Sequence, residues 1–211
     1  MQINFTKMQG CGNDYVYING LTERIPPEAK PDFVRKMSDR HFGIGGDGVI
    51  FVNPSEEADF EMEMYNADGT RAEMCGNGIR CVGKFVYDKG LTDRKEIRVV
   101  SFGKVKYLQL FTEEGKVNRI RVNMGEPVLK AEEVPVVCQK ERAVAEPVEV
   151  DGRTYEMTCV SMGNPHAVIF LDYSPKELEL EKMGIAGTYT VQAAESVCGA
   201  DGMYCILTLR E

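Results

Sequence analysis

The alternation of apolar and polar positions organises this chain before any single residue does. Residues 59–64, Asp-Phe-Glu-Met-Glu-Met, switch at every position, the period of a half-buried strand. Shorter runs of the same kind predict strands at 3–8, 97–100, 105–110, 117–122, 148–150 and 155–160. Residues 15–18, 49–52 and 167–171 are apolar almost throughout, which suits strands covered on both faces. Helical spacing shows in three places. Phe33, Val34 and Met37 define an inner face within 27–40. Ile79, Val82, Phe85 and Val86 do the same after Cys75, with Gly90 as the stop. A third helix is predicted at 174–183. Turn chemistry separates the elements: Asn66-Ala67-Asp68-Gly69, Glu114-Gly115 and Asp151-Gly152. A more irregular, acidic and proline-bearing stretch runs from Glu126 to about Val148.

One junction has chemical meaning. A strand, a turn and then Cys75-Gly76-Asn77-Gly78 lead into an apolar helix, so Cys75 must sit at or just before its first turn. The first turn of a helix has unpartnered N–H groups and a partial positive charge. A thiol there is expected to ionise more readily than a free one at about 8.5. The same N–H groups can hold a carboxylate, and glycines let it approach closely. The competing reading is a buried cysteine ahead of a core helix, since free cysteine is among the most buried residue types. Two glycines beside it are more than packing alone requires.

The chain of 211 residues allows one large domain or two small ones, and its 43% apolar and 27% charged residues are those of a globular protein. A net charge of -8 without a basic run argues against nucleic acid as a partner. No signal sequence and no membrane-length apolar run are visible, so a cytoplasmic location is expected, with no membrane partner. Seven cysteines without regular spacing read as reduced thiols rather than a disulfide framework. With two histidines and no Cys-x-x-Cys, a zinc site is not expected. The loop from Arg40 to Gly48 is glycine-dense, but a strand follows it, so it is not a dinucleotide fingerprint. His41 within it reads as structural.

An internal echo is visible. Gly12-Asn13 followed by 14–18, and Gly163-Asn164 followed by 165–169, share the order strand, glycine-asparagine, strand. If the two are copies of one unit, the second copy's counterpart of Cys75 would fall beyond residue 211.

Five segments together carry a family resemblance: Gly10-Cys11-Gly12-Asn13-Asp14; residues 39–48; Tyr65-Asn66-Ala67-Asp68-Gly69; residues 73–81, Glu-Met-Cys-Gly-Asn-Gly-Ile-Arg-Cys; and Gly163-Asn164-Pro165-His166. In this order they resemble diaminopimelate epimerase over residues 1–183. The resemblance implies an α/β fold of the α+β type: two pseudo-symmetric halves, each a curved, mostly antiparallel sheet around a central helix, here with the second half incomplete. It divides the chain into 1–122 with the Cys75 helix, a partial second half at 123–183, and a tail at 184–211 unlike the family. It implies interconversion of LL- and meso-diaminopimelate, a precursor of lysine and peptidoglycan, by two thiols on opposite faces of the α-carbon. No cofactor is implied, neither pyridoxal phosphate nor metal. A homodimer is the family's usual form.

Residue by residue, Cys75 matches one acid/base cysteine. Gly76 and Asn77 match carboxylate-binding backbone. Asn13, Asn66 and Asn164 match side chains that bind the amino-acid ends of the substrate. The family's second cysteine leads a Cys-Gly-Thr-Gly loop after a Glu-Arg pair, and neither is found. Cys198-Gly199 is superficially similar, but no Glu-Arg precedes it and no long helix follows. The expectation is an epimerase whose activity is impaired or absent in this form. The alternatives are a non-catalytic amino-acid-binding remnant, or another cofactor-independent racemase such as a proline racemase relative.

Overall fold

A computed structural model describes residues 2–134, 136–150, 152–163 and 165–173, and the backbone of 190–199 and 202–210. The helix predicted at 174–183 lies outside the described residues. The chain forms two units, Met1–Met124 and Gly125–Glu211.

The first unit contains β1 (Thr6–Gly10), β2 (Asn13–Asn19), α1 (Lys30–Ser38, after a 3-10 turn at Pro27–Ala29), β3 (Gly48–Asn53), β4 (Phe60–Asn66), β5 (Arg71–Ala72), α2 (Gly76–Asp88), β6 (Glu96–Ser101), β7 (Lys104–Glu113) and β8 (Lys116–Asn123). The sheet order is β1-β2-β3-β4-β6-β7-β8, with the short β5 on β4. Pairing is mostly antiparallel, but β2–β3 and β4–β6 run parallel, each joined by a crossover that contains a helix. That is what a parallel pair requires, since no tight turn can join its ends.

Helix α2 touches β1 and β2 near one edge of the sheet and β7 and β8 at the other. A sheet whose two ends meet one helix must curl around it. The helix sequence allows this, because Ile79, Val82, Phe85 and Val86 are all buried, and Gly78, Cys81 and Gly83 with them. A helix apolar on most sides can lie only inside a core. The opposite face of β2 and β3 carries Val16, Ile18, Val49 and Phe51, which pack with Val34 of α1. Both faces of these strands are therefore covered, which explains the continuous apolar runs at 15–18 and 49–52. Each large side chain buried this way contributes roughly 1.5–3 kcal/mol. α2 ends as the sequence predicts, with Gly90 at φ +70° and the Leu91 amide bonding back to the Val86 carbonyl at 2.8 Å.

The second unit is an antiparallel sheet in the order β12-β13-β11-β10-β9, built from β9 (Glu146–Val150), β10 (Arg153–Ser161), β11 (Pro165–Leu171), β12 (Thr190–Gly199) and β13 (Gly202–Arg210). Among its described residues there is no α-helix. Val134, Ala143, Val150, Met157, Cys159, Ala167 and Ile169 form its core. The sequence echo corresponds to two hairpins, since Gly10 pairs with Asn13 across β1–β2 and Ser161 with Pro165 across β10–β11.

Candidate active site

Cys75 is the N-cap residue of α2. Its backbone is extended (φ -136°, ψ 109°), and its carbonyl accepts the first helical bond, from Ile79 at 2.9 Å. Its Sγ accepts from the Gly78 amide at 3.2 Å, the bond that a serine or aspartate oxygen makes in an ordinary cap. A Cβ at Gly78 would lie 2.9 Å from Ile50 Cδ1 and 3.5 Å from Cys75 Sγ, so this glycine makes room for the sulfur. The thiol is half-buried.

The expected easy ionisation is not what results. Burial pushes the Cys75 thiol above its ordinary range, and this outweighs the opposite pull of the Gly78 and Asn77 amides, the Tyr15 hydroxyl and the Arg80 charge. The helix terminus acts as expected, but desolvation of a half-covered sulfur is larger.

Asn13, the first residue of β2, meets the same turn. Its Oδ1 accepts from Asn77 Nδ2 at 2.6 Å, and Asn77 Oδ1 in turn accepts from the Arg80 guanidinium. Arg80 Nη2 also lies 3.5 Å from Cys11 Sγ at the hairpin tip. The hairpin sits very close to the helix: a Cβ at Gly10 would be 3.1 Å from the Asn77 carbonyl oxygen. Gly76 opens α2, and a Cβ there would meet nothing nearer than Met124 Cε at 3.7 Å. That side of the first turn has space.

Asn66 closes β4. Tyr15, Gly48 and Asn66 are in register across β2, β3 and β4, which puts Asn13 and Asn66 at the same end of the sheet. The Asn66 amide donates to Thr70 Oγ1 at 3.1 Å, within a turn closed by the Gly69 amide and the Asn66 carbonyl at 2.9 Å. Arg40 fastens the glycine-dense loop to this end of the sheet. It bonds Asp14 at 2.7 Å and Asp47 at 2.9 Å, while Lys7 pairs with Asp14 at 2.8 Å. The Arg40 hydrogen bond, aided by Lys7, holds the Asp14 carboxyl far below its usual range against a smaller opposing effect of burial. His41 is exposed on the loop, where its backbone amide donates to Asp39 at 2.7 Å.

The structure thus brings Asn13, Asn66, Cys75, Gly76 and Asn77 to one end of the first unit. Asn164 lies outside the described residues. Cys198 lies within β12, in register with Met203 of β13, and so does not lead a helix. Sequence reasoning missed Tyr15, Tyr17 and Arg80. The two tyrosines alternate on one face of β2, which is the face under α2. The Tyr17 hydroxyl donates to the Gly78 carbonyl at 3.4 Å. The signal was present: two hydroxyls inside an otherwise apolar run need partners.

The family model described as Diaminopimelate epimerase matches residues 5–130. A diaminopimelate epimerase from Agathobacter rectalis is 52% identical over 189 residues, covering 86% of this chain and 65% of that relative. One from Acetivibrio thermocellus is 51% identical over 185 residues, covering 86% of this chain and 64% of the relative. The chain therefore spans a little under two thirds of the length of these curated relatives. Among solved structures, a probable proline racemase from Agrobacterium radiobacter K84 has a TM-score of 0.65 at 11% identity, over 99% of this chain and 71% of that one. A hydroxyproline epimerase from Agrobacterium vitis has a TM-score of 0.63 at 12% identity, over 97% and 69%. These two share the fold. By its sequence motifs, the family match and the enclosed cysteine-capped helix, this chain belongs to the diaminopimelate epimerase family.

Proposed function

We propose that this chain provides one face of a cofactor-independent epimerase site for diaminopimelate, with Cys75 as one of its two proton-transfer groups. The observation that carries the reading is the capping geometry, in which the sulfur sits at the mouth of α2, 3.2 Å from the Gly78 amide. Gly76, on the open side of that turn, and Asn77 supply backbone N–H groups for the substrate carboxylate. Asn13 and Asn66, at the same end of the sheet, offer amides that both donate and accept, which suits an ammonium and a carboxylate side by side. Asn164 is assigned the same work from the family motif alone.

Removing an α-proton leaves charge that moves onto the carboxylate. N–H groups already fixed at a helix start stabilise that charge without having to reorganise. Inversion then requires a proton from the opposite face, because one group returns the proton to the side it left. Cys75 serves as that donor or as the base, depending on which stereoisomer is bound. The resting thiol is protonated at neutral pH. Proton abstraction therefore requires the sulfur to be deprotonated as substrate binds, and the substrate's own ammonium supplies a cation to favour the thiolate. The family's second cysteine motif is not matched here, so the 211-residue chain is expected to exchange the α-proton with little inversion.

The test is solvent deuterium incorporation at the α-carbon of each diaminopimelate stereoisomer, with Cys75→Ser as control. The expected result is exchange into one stereoisomer that Cys75→Ser lowers by at least a hundredfold. Binding without exchange would leave only an amino-acid-binding role, and Cys75-independent exchange would refute the assignment.

A further inference from the structure

An asparagine amide has a donor end and an acceptor end of nearly equal size, so its partners decide which way round it sits. Asn13 and Asn66 are each fastened by one end, and each chain of bonds finishes on a group of fixed polarity. Arg80 lies three residues after Asn77 on α2, on the same face of the helix. A guanidinium can only donate, so Asn77 must turn Oδ1 toward Arg80. Asn77 Nδ2 is then the end left for Asn13, which accepts it on Oδ1 at 2.6 Å. The uncommitted end of Asn13 is its Nδ2. Asn66 is fastened in the other sense. Asp68 Oδ1 accepts from the Thr70 hydroxyl at 2.6 Å and from the Thr70 amide at 2.9 Å. With its one proton on that carboxylate, Thr70 Oγ1 can only accept, and Asn66 gives it Nδ2 at 3.1 Å. The uncommitted end of Asn66 is its Oδ1.

We propose that Arg80 and Asp68 are positioning residues that set Asn13 and Asn66 in opposite senses, so that Asn13 offers an N–H to a substrate carboxylate and Asn66 offers an oxygen to a substrate ammonium. This rests on the epimerase reading and deepens it, since amides free to turn would serve either group. The two senses agree with their surroundings. Asn13 is bonded to the same helix turn whose Gly76 and Asn77 N–H groups are assigned to the carboxylate, so donors gather on that side. Arg80 stands behind them, bonded to Asn77 and 3.5 Å from Cys11 Sγ, and acts through Asn77 without touching the substrate. Amides fixed in this way also discriminate. An amino-acid end entering the wrong way round would set its carboxylate against the Asn66 oxygen and its ammonium against the Asn13 N–H groups.

The senses can be read without substrate. In the full chain labelled with nitrogen-15 at asparagine, the exchange of each side-chain NH2 with water reports whether it is bonded. Asn77 and Asn66 are expected to be protected and Asn13 to exchange freely. Protection of Asn13 with free exchange at Asn77 would overturn the proposal, and this measurement needs no variant. Arg80→Glu puts an acceptor where a donor stood. The relay is expected to reverse, with Asn77 turning its NH2 to the new carboxylate and Asn13 becoming protected, while Asn66 is unmoved. Arg80→Lys is expected to keep the parent pattern. Free exchange at Asn13 in Arg80→Glu, with the thermal transition preserved, would overturn the proposal. Thr70→Val is expected to release the Asn66 NH2 and Thr70→Ser to retain it. In the deuterium-incorporation assay, Arg80→Glu is expected to raise KM about tenfold with kcat changed by no more than about twofold, and Arg80→Lys to restore it. A raised KM that Arg80→Lys does not restore would give Arg80 a merely structural role and overturn its assignment. No exchange of the α-proton by the parent chain, with the protection pattern as expected, would support the relay and count against the epimerase reading alone.

Discussion

At the scale of single residues, the site depends on how closely atoms approach one another. Gly78 illustrates this, because helix propensity and site geometry make opposite demands on it. In a helix, alanine is favoured over glycine by about 1 kcal/mol. The added methyl would sit 2.9 Å from the movable end of Ile50 and 3.3 Å from Cys75 Cβ. Ile50 can shift, so Gly78→Ala is expected to leave the thermal midpoint within a few degrees of the parent. The cysteine cannot shift without losing its amide bond, so the alkylation midpoint of Cys75 is expected to rise in the same variant. Differential scanning calorimetry and the alkylation profile, measured together, check both halves. Cys75 itself was legible in the sequence as a cap, because a glycine pair followed it and an apolar helix came next. Its raised thiol was not legible, since that depends on how far the sulfur is covered where Cys75 packs against the core, which only the fold decides.

At the scale of elements, the period-two and helical patterns located nearly every strand and helix of the first unit. They could not give the order of strands. Nothing in the apolar run at 49–52 says that it pairs in parallel with 15–18, or that β6 lies beside β4. Those choices follow from the crossovers through α1 and α2 and from the curl needed to enclose α2. The two-residue β5 is too short to carry a pattern. No element was predicted within 185–211, where β12 and β13 extend the second sheet: β12 mixes small and polar residues without a clean period, but residues 203–209, Met-Tyr-Cys-Ile-Leu-Thr-Leu, form an apolar run whose strand signal was missed. Register also has a sharp local requirement. At Gly48, between Tyr15 and Asn66, a Cβ would stand 1.9 Å from the Tyr65 carbonyl oxygen. Backbone cannot yield as a side-chain end can, so Gly48→Ala is expected to cost at least about 3 kcal/mol by overpacking. A urea midpoint far below the parent's, with alkylation of now-exposed thiols, would show it. A neutral outcome would mean that the strands do not pair in this register.

At the scale of the whole molecule, charge is arranged so that acid is the weak condition. Net charge is -8, and several carboxylates are held in their ionised form by partners. Glu63, on β4, pairs with Lys30 and with Arg71 at 2.6 Å, and accepts from Asn53 at 2.7 Å and Tyr65 at 3.0 Å. Burial alone would raise its carboxyl, but these partners, Lys30 foremost, bring it below the usual range. Asp88 is lowered by Lys84 and the Val117 amide against burial, and Asp14 by Arg40 and Lys7. A depressed folded-state value means that the unfolded chain takes up the proton first. The stability from these groups is therefore complete above about pH 5 and drains away as pH falls through the folded-state values. The urea midpoint is expected to be level from pH 7 to 5 and to drop below about pH 4. Glu63→Gln, which strands the largely covered Lys30, is expected to cost about 3 kcal/mol at neutral pH and to flatten the acid slope. An equally steep slope in that variant would assign the acid sensitivity to other groups.

The bond between the Gly78 amide and the Cys75 sulfur makes one proton of the main chain a witness to the chemistry. Whether that sulfur is charged, neutral or covalently occupied changes the acceptor that the amide faces, and with it the frequency at which the amide resonates. A glycine-labelled sample titrated in a magnetic field would report the state of the thiol continuously, without substrate, chromophore or reagent, from a residue that takes no part in the reaction.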